Sequence, residues 1–393
     1  PFAKAAVKRP VERCWSTLPE IYDHSGEGEP KKGNTPFEQD FKYLVEKLDL
    51  FKWLRALDYR QRVGRYGGLF ISAQEREGVT PNQPLKIIGG VRGIKKLRPV
   101  FEGQIEENDI ENDIKSPNFG NPQTYTFNPN RASTSTKSVE DGNTVLHNTR
   151  VFVTAEDADD GSIYGTSCLE DGFNAMMDLV KVCAAGAEGL FKNSKQRLHA
   201  NITDENVADS YLNSGGEDDD DEEEDFNKQL SAIAKGFDTE LLTAGMDIKV
   251  LQASMEDPSP SFNIALQSFC AAVNIPKTVL IGFETGERSS SENKSAWNDA
   301  MNARRENYLT HMLKELIEFL ISIGGMRPPT NGICIKWKDL NTATESEKID
   351  IVDKMASVNE KSTRAGMGEV FTVDEMRLIT GRKPVDMESE EYA

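Results

Sequence analysis

Apolar positions fall into two kinds of segment along this chain. Across residues 37–63, Phe41, Leu44, Val45, Leu48, Phe51, Leu54 and Leu57 recur at helical spacing among charged residues. That spacing predicts one amphipathic helix, ended by Gly64, Gly67 and Gly68. A strand is predicted at 69–72, with further short strands at 85–88, 98–101, 124–127 and 145–154 between turns rich in Gly, Pro and Asn. This first part reads as β-rich or α+β with long loops.

From Leu169 the pattern changes. Leu169, Phe173, Met176, Val180, Cys183, Ala187 and Leu190 form one narrow apolar stripe, with Lys181, Lys192 and Lys195 off it. Such a stripe suits helix–helix packing, although a core helix of an ordinary domain gives the same pattern. A helix at 226–242 and a strand at 248–251 are predicted next. A short amphipathic helix at 262–273 stops at Asn274-Ile275-Pro276, because proline cannot continue it. The Gly- and Ser-rich stretch GFETGERSSSEN reads as a loop, and a helix from about residue 293 to 323 follows. Its length is about 45 Å at ~1.5 Å per residue. Its second half carries Leu309, Leu313, Leu316, Leu320 and Ile323 on one stripe, and Gly324-Gly325 ends it. Residues 333–337 read as a strand. Helices at 344–365 and 372–380 close the chain, the last with Thr372 and Glu375 spaced as a capping box.

Composition narrows the class. Charged residues make up 28% and hydrophobic residues 37%, mean hydropathy is −0.54, and no apolar run approaches the ~20 residues of a membrane helix. The opening PFAKAAVKRP has no apolar core of a secretory signal, and the missing Met predicts further residues upstream. Cys14, Cys168, Cys183, Cys270 and Cys334 are scattered and odd in number, which predicts free thiols in a reducing compartment. The net charge of −19 opposes strong DNA affinity, since gripping phosphates needs clustered Lys and Arg. Nine consecutive acids stand at Glu217, Asp218, Asp219, Asp220, Asp221, Glu222, Glu223, Glu224 and Asp225. They read either as a solvated insertion or as a surface that meets a basic partner. Without them the charge is still −10, so acidity is not confined to this run.

Catalytic patterns are lacking. Gly282 to Ser289 misses both the spacing and the lysine of a phosphate loop. Ser291 and Lys294 match SxxK without its companion motifs, and neither HExxH nor GxSxG occurs. His24, His147, His199 and His311 show no ligand spacing, and Asp157, Asp159 and Asp160 lack the length and final Glu of a calcium loop. The sequence therefore predicts no enzyme, no metal and no cofactor.

Several segments resemble tailed-bacteriophage portal proteins in order and spacing. Ile275-Pro276 with Leu280 and Gly282, before a Gly/Ser loop and a long helix, is similar to the family's IP-x-x-x-L-x-G segment. Arg65-Tyr66-Gly67-Gly68 resembles its R-x-Y-G-G turn, and His147 with Arg150-Val151 its H-x-x-R-V strand, with Asn148 where a proline is expected. Residues 335–340, followed by Glu345, Glu347 and Lys348, resemble its F-x-x-L and acidic helix; Thr372, Glu375 and Arg377 resemble its T-x-x-E-x-R. The likeness spans about residues 40–385, and the acidic run is a departure from it.

The resemblance implies an α+β subunit of a closed ring, usually of twelve copies, at one capsid vertex. It implies a wing at 1–168, a first stem helix at 169–197, a clip with the acidic run at 198–257 and a second stem helix at 258–275. A channel loop at 276–293, a long helix with a returning wing strand at 294–343 and a crown at 344–393 complete it. Glu284, Thr285, Gly286, Glu287, Arg288, Ser289, Ser290 and Ser291 would face the channel, although an ordinary surface turn gives the same composition. Implied partners are further copies of the chain, capsid protein, the terminase motor, tail adaptor or connector proteins and, transiently and non-specifically, double-stranded DNA. No membrane is implied. The implied location is the virion, after assembly in the host cytoplasm. Ring formation is expected on a second ground, since neither striped helix has an obvious partner in its own chain. Rival readings are another head-completion or minor head protein, or a packaging nuclease or ATPase.

Overall fold

The computed structural model describes residues 1–24, 33–116, 119–129, 143–158, 162–194, 197–202, 246–251, 257–282, 287–342 and 345–382. In chain order these form α1 (Phe2–Cys14), β1 (Glu20–Asp23), α2 (Pro36–Leu48), α3 (Leu50–Val63), β2 (Gly67–Ala73), β3 (Ile94–Phe101), β4 (Ile105–Ile110), β5 (Pro122–Phe127), β6 (Thr144–His147) and β7 (Val151–Thr154). Next come α4 (Phe173–Ser194), β8 (Arg197–Ile202), β9 (Met246–Leu251), α5 (Ser259–Ala272), α6 (Lys277–Ile281) and α7 (Glu287–Arg304). A π-helical turn (Arg305–Leu309) joins α7 to α8 (Thr310–Ser322), and β10 (Ile333–Lys336), α9 (Glu345–Arg364) and α10 (Val373–Ile379) follow. The fold is mixed helix and sheet, as expected. Two compact units result: Pro1–Ala6 with Cys168–Gly282, and Val7–Ser167 with Phe283–Ala393.

The larger unit is built on small antiparallel sheets. One has the order β3-β2-β7, another β4-β5-β6, and β1 pairs with β10. Tyr66, Val100, Ile105, Tyr125, Leu146 and Val151 form a shared core cluster of the two three-stranded sheets. Gly68 permits that packing: a Cβ there would stand 2.7 Å from Val100. The run 145–154 is not one strand. A 3-10 turn at Asn148–Arg150 carries the chain from β6 in one sheet to β7 in the other. Residues 85–88 are not a strand either. Leu85 N–H donates to Thr149 Oγ1, Ile87 N–H to the Ile323 carbonyl and Ile88 N–H to the Gln74 carbonyl, so their bonds go to three places instead of one ladder.

The helix expected at 37–63 is two helices. Asp49 between them is left-handed (φ 51°), a conformation that short polar side chains tolerate. Thr35 and Glu38 form a capping box at the start of α2, with Pro36 in its first turn. The stripe Leu309, Leu313, Leu316, Leu320 and Ile323 is buried within this unit. The expectation that it lacked a partner in its own chain is corrected: Phe319 of α8 packs on Phe152 of β7 at 5.7 Å.

In the smaller unit α4 lies along α5, and β8 pairs antiparallel with β9. A Cβ on Gly172 would touch Phe269 at 3.0 Å, and one on Gly186 would meet Pro258 at 3.6 Å. Small residues thus let the two helices approach.

Candidate channel and assembly surfaces

The stripe read on α4 does not face α5. The seam runs instead through Gly172, Leu179 and Gly186, which are buried at seven-residue steps. Of the predicted stripe, Phe173, Val180, Cys183, Ala187 and Leu190 are exposed, while Leu169 and Met176 are half-buried. Met177 and Phe191 widen this surface; Leu190 keeps 65% and Phe191 58% of its area exposed. The apolar surface spans about 27 Å along the helix at ~1.5 Å per residue. Exposed apolar surface of this extent marks a contact site.

A second apolar surface lies on α9 and α10. Asn359 fixes the turn between them by accepting from Val370 N–H and Phe371 N–H, both at 2.9 Å, and donating to the Phe371 carbonyl at 2.7 Å. The capping box of Thr372 and Glu375 forms as predicted. Yet Ile349, Ile351, Val358, Met367, Val370, Val373 and Leu378 are exposed, and α10 buries no residue.

The candidate channel loop divides. Among its nominated residues, Glu284, Thr285 and Gly286 lie outside the described residues, as does the acidic run Glu217–Asp225 and the helix expected at 226–242. Glu287, Arg288, Ser289, Ser290 and Ser291 are not loop: their backbone forms the first turns of α7. The reason is local. No Gly or Pro follows Gly286 before Gly324, and Glu287 suits the positive end of a helix dipole. On the other side Pro276 precedes the short helix α6, where a loop was expected, and Gly282 beyond it is at φ 116°. That backbone position favours glycine.

The long helix is anchored by two adjacent arginines that sequence reading missed. Arg304 donates to Asp58 at 2.6 Å and to Glu156 at 2.5 Å, and Arg62 donates to Glu156 at 2.9 Å. Trp15 Nε1 and Gln61 Nε2 also donate to Asp58, at 2.8 and 2.9 Å. Burial alone would raise the Asp58 carboxyl, but the Arg304 charge and these hydrogen bonds hold it below the ordinary range. Arg305 is fully buried without an acid partner among the described residues. It donates to the carbonyls of Cys14 (2.5 Å) and Lys338 (3.0 Å) and to Thr17 Oγ1 (2.9 Å), and lies over the Trp337 ring at 5.0 Å. The π turn starts here, and Thr310 N–H and Oγ1 both donate to the Arg305 carbonyl. An Arg pair in a helix otherwise rich in exposed polar residues carries little sequence signal.

The motifs have physical roles. Arg65 pairs with Glu102 at 2.8 Å, and Tyr66 OH donates to the Ile105 carbonyl at 3.1 Å. Arg150 binds Glu75 through both guanidinium nitrogens, at 2.6 and 2.7 Å, and the Gln83 and Thr80 carbonyls, which pins the loop after β2. His147 caps the turn by accepting from Thr149 N–H. Ile275 and Leu280 are buried anchors on either side of Pro276.

The family model described as "Phage portal protein" matches residues 1–361. The chain belongs to the phage portal protein family. Solved structures resemble the fold of this chain. The neck of an empty GTA particle, computed with C6 symmetry, contains a chain with TM-score 0.54 and 16% identity, covering 98% of this chain and 91% of that one. The neck of a native GTA particle, computed with C12 symmetry, gives 0.52 and 16%, covering 97% and 89%. An HK97-family phage portal protein from Corynebacterium diphtheriae gives 0.41 and 11%, covering 75% and 81%. No curated protein matches the sequence. As a portal protein, the chain is a component of the virion's portal vertex. No helix among the described residues is long and apolar enough to cross a membrane. Among them, no group of three His, Cys, Asp or Glu is placed to hold a metal ion.

Proposed function

We propose that twelve copies of this chain close into a ring at one capsid vertex, through whose channel genomic DNA is packaged and ejected. The observation that carries this reading is the portal-family match over residues 1–361. Two features support it. A GTA neck solved with C12 symmetry contains a chain of this fold. Exposed apolar surfaces on α4 and on α9–α10 need covering, and neighbouring copies would cover them.

In this reading α4 and α5 are stem helices, residues 198–257 the clip, and residues 344–393 the crown. The segment 276–293 faces the channel, and Glu284, Glu287 and Arg288 are the groups that meet passing DNA. The acidic run meets a basic partner. Capsid protein, terminase and a tail adaptor dock on the ring in turn. The role is structural, with no step of covalent chemistry assigned to any residue. A phage deleted for this chain tests the reading. Its heads should lack packaged DNA and lack tails, and full, tailed particles from that deletion would contradict it.

A further inference from the structure

Portal subunits that carry −19 charges each must repel one another at long range, so a ring of them needs local complementary contacts. The larger unit carries two like-charge groups about one sheet, one on its edge strand β3 and the other on α8, which packs on β7. On that edge, Arg98 of β3 is exposed and lies over the Phe127 ring at 5.7 Å, beside the exposed Lys95 and Lys96. Arg60 of α3 faces the same corner and donates to the Ala56 carbonyl at 2.8 Å. Burial, and then the charge of Arg98, lowers the Arg60 pKa. No ion pair involves Arg60, Lys95, Lys96 or Arg98 among the described residues.

On α8, Glu315 and Glu318 are both exposed. Glu315 stands at a cleft of about 820 Å³ with Asn307 and His311. Burial raises its pKa, His311 one turn away opposes that rise, and Glu318 adds to it. Neither glutamate has an ion-pair partner among the described residues. Elsewhere in this unit several charges are paired at close range, as at Arg304, Arg150 and Arg327.

The sheet sets the placement. Phe70 of β2 has Arg98 as its register partner on β3 and Val151 as its partner on β7. The next residue, Phe152, packs on Phe319 of α8, whose neighbour in sequence is Glu318. Two strand spacings across the sheet and one helix layer perpendicular to it put the two charged groups on the order of 14 Å apart. Two different complementary surfaces on opposite sides of a subunit are what a head-to-tail ring contact requires.

We propose that the Lys96–Arg98 edge of one copy docks on Glu315 and Glu318 of the next copy around the ring. This rests on the ring reading above, and it adds which charges set the order and spacing of neighbours.

The test is a charge swap in the full chain, with circular dichroism melting to verify folding. The variants are K96E with R98E, E315K with E318K, and all four together. Native mass spectrometry reads the assembly. Each double variant alone should need a roughly tenfold or higher concentration to form rings than the unaltered chain. An equimolar mixture of the two doubles should restore rings containing both variants alternately, and the quadruple variant should assemble by itself. The inference is overturned if the doubles assemble as the unaltered chain does, or if neither mixture nor quadruple restores rings. Loss of DNA binding by K96E/R98E with normal rings would overturn it too, and assign the edge to phosphate. An unaltered chain that stays monomeric would overturn the ring reading itself, and this contact with it.

Discussion

At the scale of the residue, the larger unit is held by buried charges whose partners come from distant parts of the chain. Asp58 sits at the centre, bound by Arg304, Trp15 and Gln61. Replacing one member of such a buried pair costs about 3–5 kcal/mol, because the other is left uncompensated. Asp58→Asn should lower stability by that order in urea unfolding, and an unchanged midpoint would show that Arg304 finds another partner. The pH dependence follows from the same group. Asp58, Asp40 and Asp23 are all depressed: burial would raise each, but Arg304, Arg327 and the amides of residues 330–332 respectively override it. A depressed carboxyl contributes stability that is present above its unfolded pKa and lost as pH falls through the folded one. The stability these three carboxyls contribute should therefore be constant from neutral pH down to about 4 and be lost below it. Thermal melts across pH 2–7 test this, and Asp58→Asn should flatten the acid limb. Arg305 is a different case, a cation held by carbonyls and one indole ring. Arg305→Met would leave those carbonyls unpaired and should destabilise by ~1–3 kcal/mol, which the same urea experiment reads.

At the scale of the element, local patterns were legible and tertiary partners were not. The capping box at Thr372, the helix stop before Pro276 and the strands near 70, 98 and 124 follow from spacing and turn residues alone. The chain missed as a helix was α1, where Ala6, Val7, Val11 and Cys14 repeat at helical spacing but Pro10 interrupts the pattern. The break at Asp49 is invisible to periodicity because α2 and α3 keep their apolar faces in phase. Strand β4, IEENDI, is mostly polar and is recruited by its neighbour β5. The two leucine-type stripes looked alike in sequence, yet one is buried in its own unit and the other is exposed. Only packing decides that. The exposed one makes a prediction: Val180→Asp with Leu190→Asp on α4 should leave circular dichroism and melting nearly unchanged, since surface changes usually cost little. The same pair should abolish assembly in sedimentation velocity. Normal assembly, or a collapse of folding, would show that the stripe serves the monomer.

At the scale of the whole molecule, acidity and assembly fit together. A channel that passes DNA must not hold it, and a chain of net charge −19 offers few phosphate contacts. Duplex DNA should bind weakly, without sequence preference and with a shallow salt dependence; tight binding that falls steeply with salt in fluorescence anisotropy would contradict that. The nine acids from Glu217 to Asp225 should be replaceable by Gly and Ser with almost no loss of stability, since consecutive like charges resist packing. The family and the fold class were legible in the sequence through motifs whose roles are structural, such as Arg150 on Glu75 and Gly68 against Val100. The channel and partner-facing residues carry no such signature, because polar, acidic stretches look alike wherever they point. The central claim is the closed ring, and direct imaging of the purified chain tests it best. Averaged electron micrographs should show rings with a central hole and twelvefold rotational symmetry, about 0.52 MDa for 43.7-kDa subunits. Compact single subunits at every concentration, in solution and in virions alike, would contradict it.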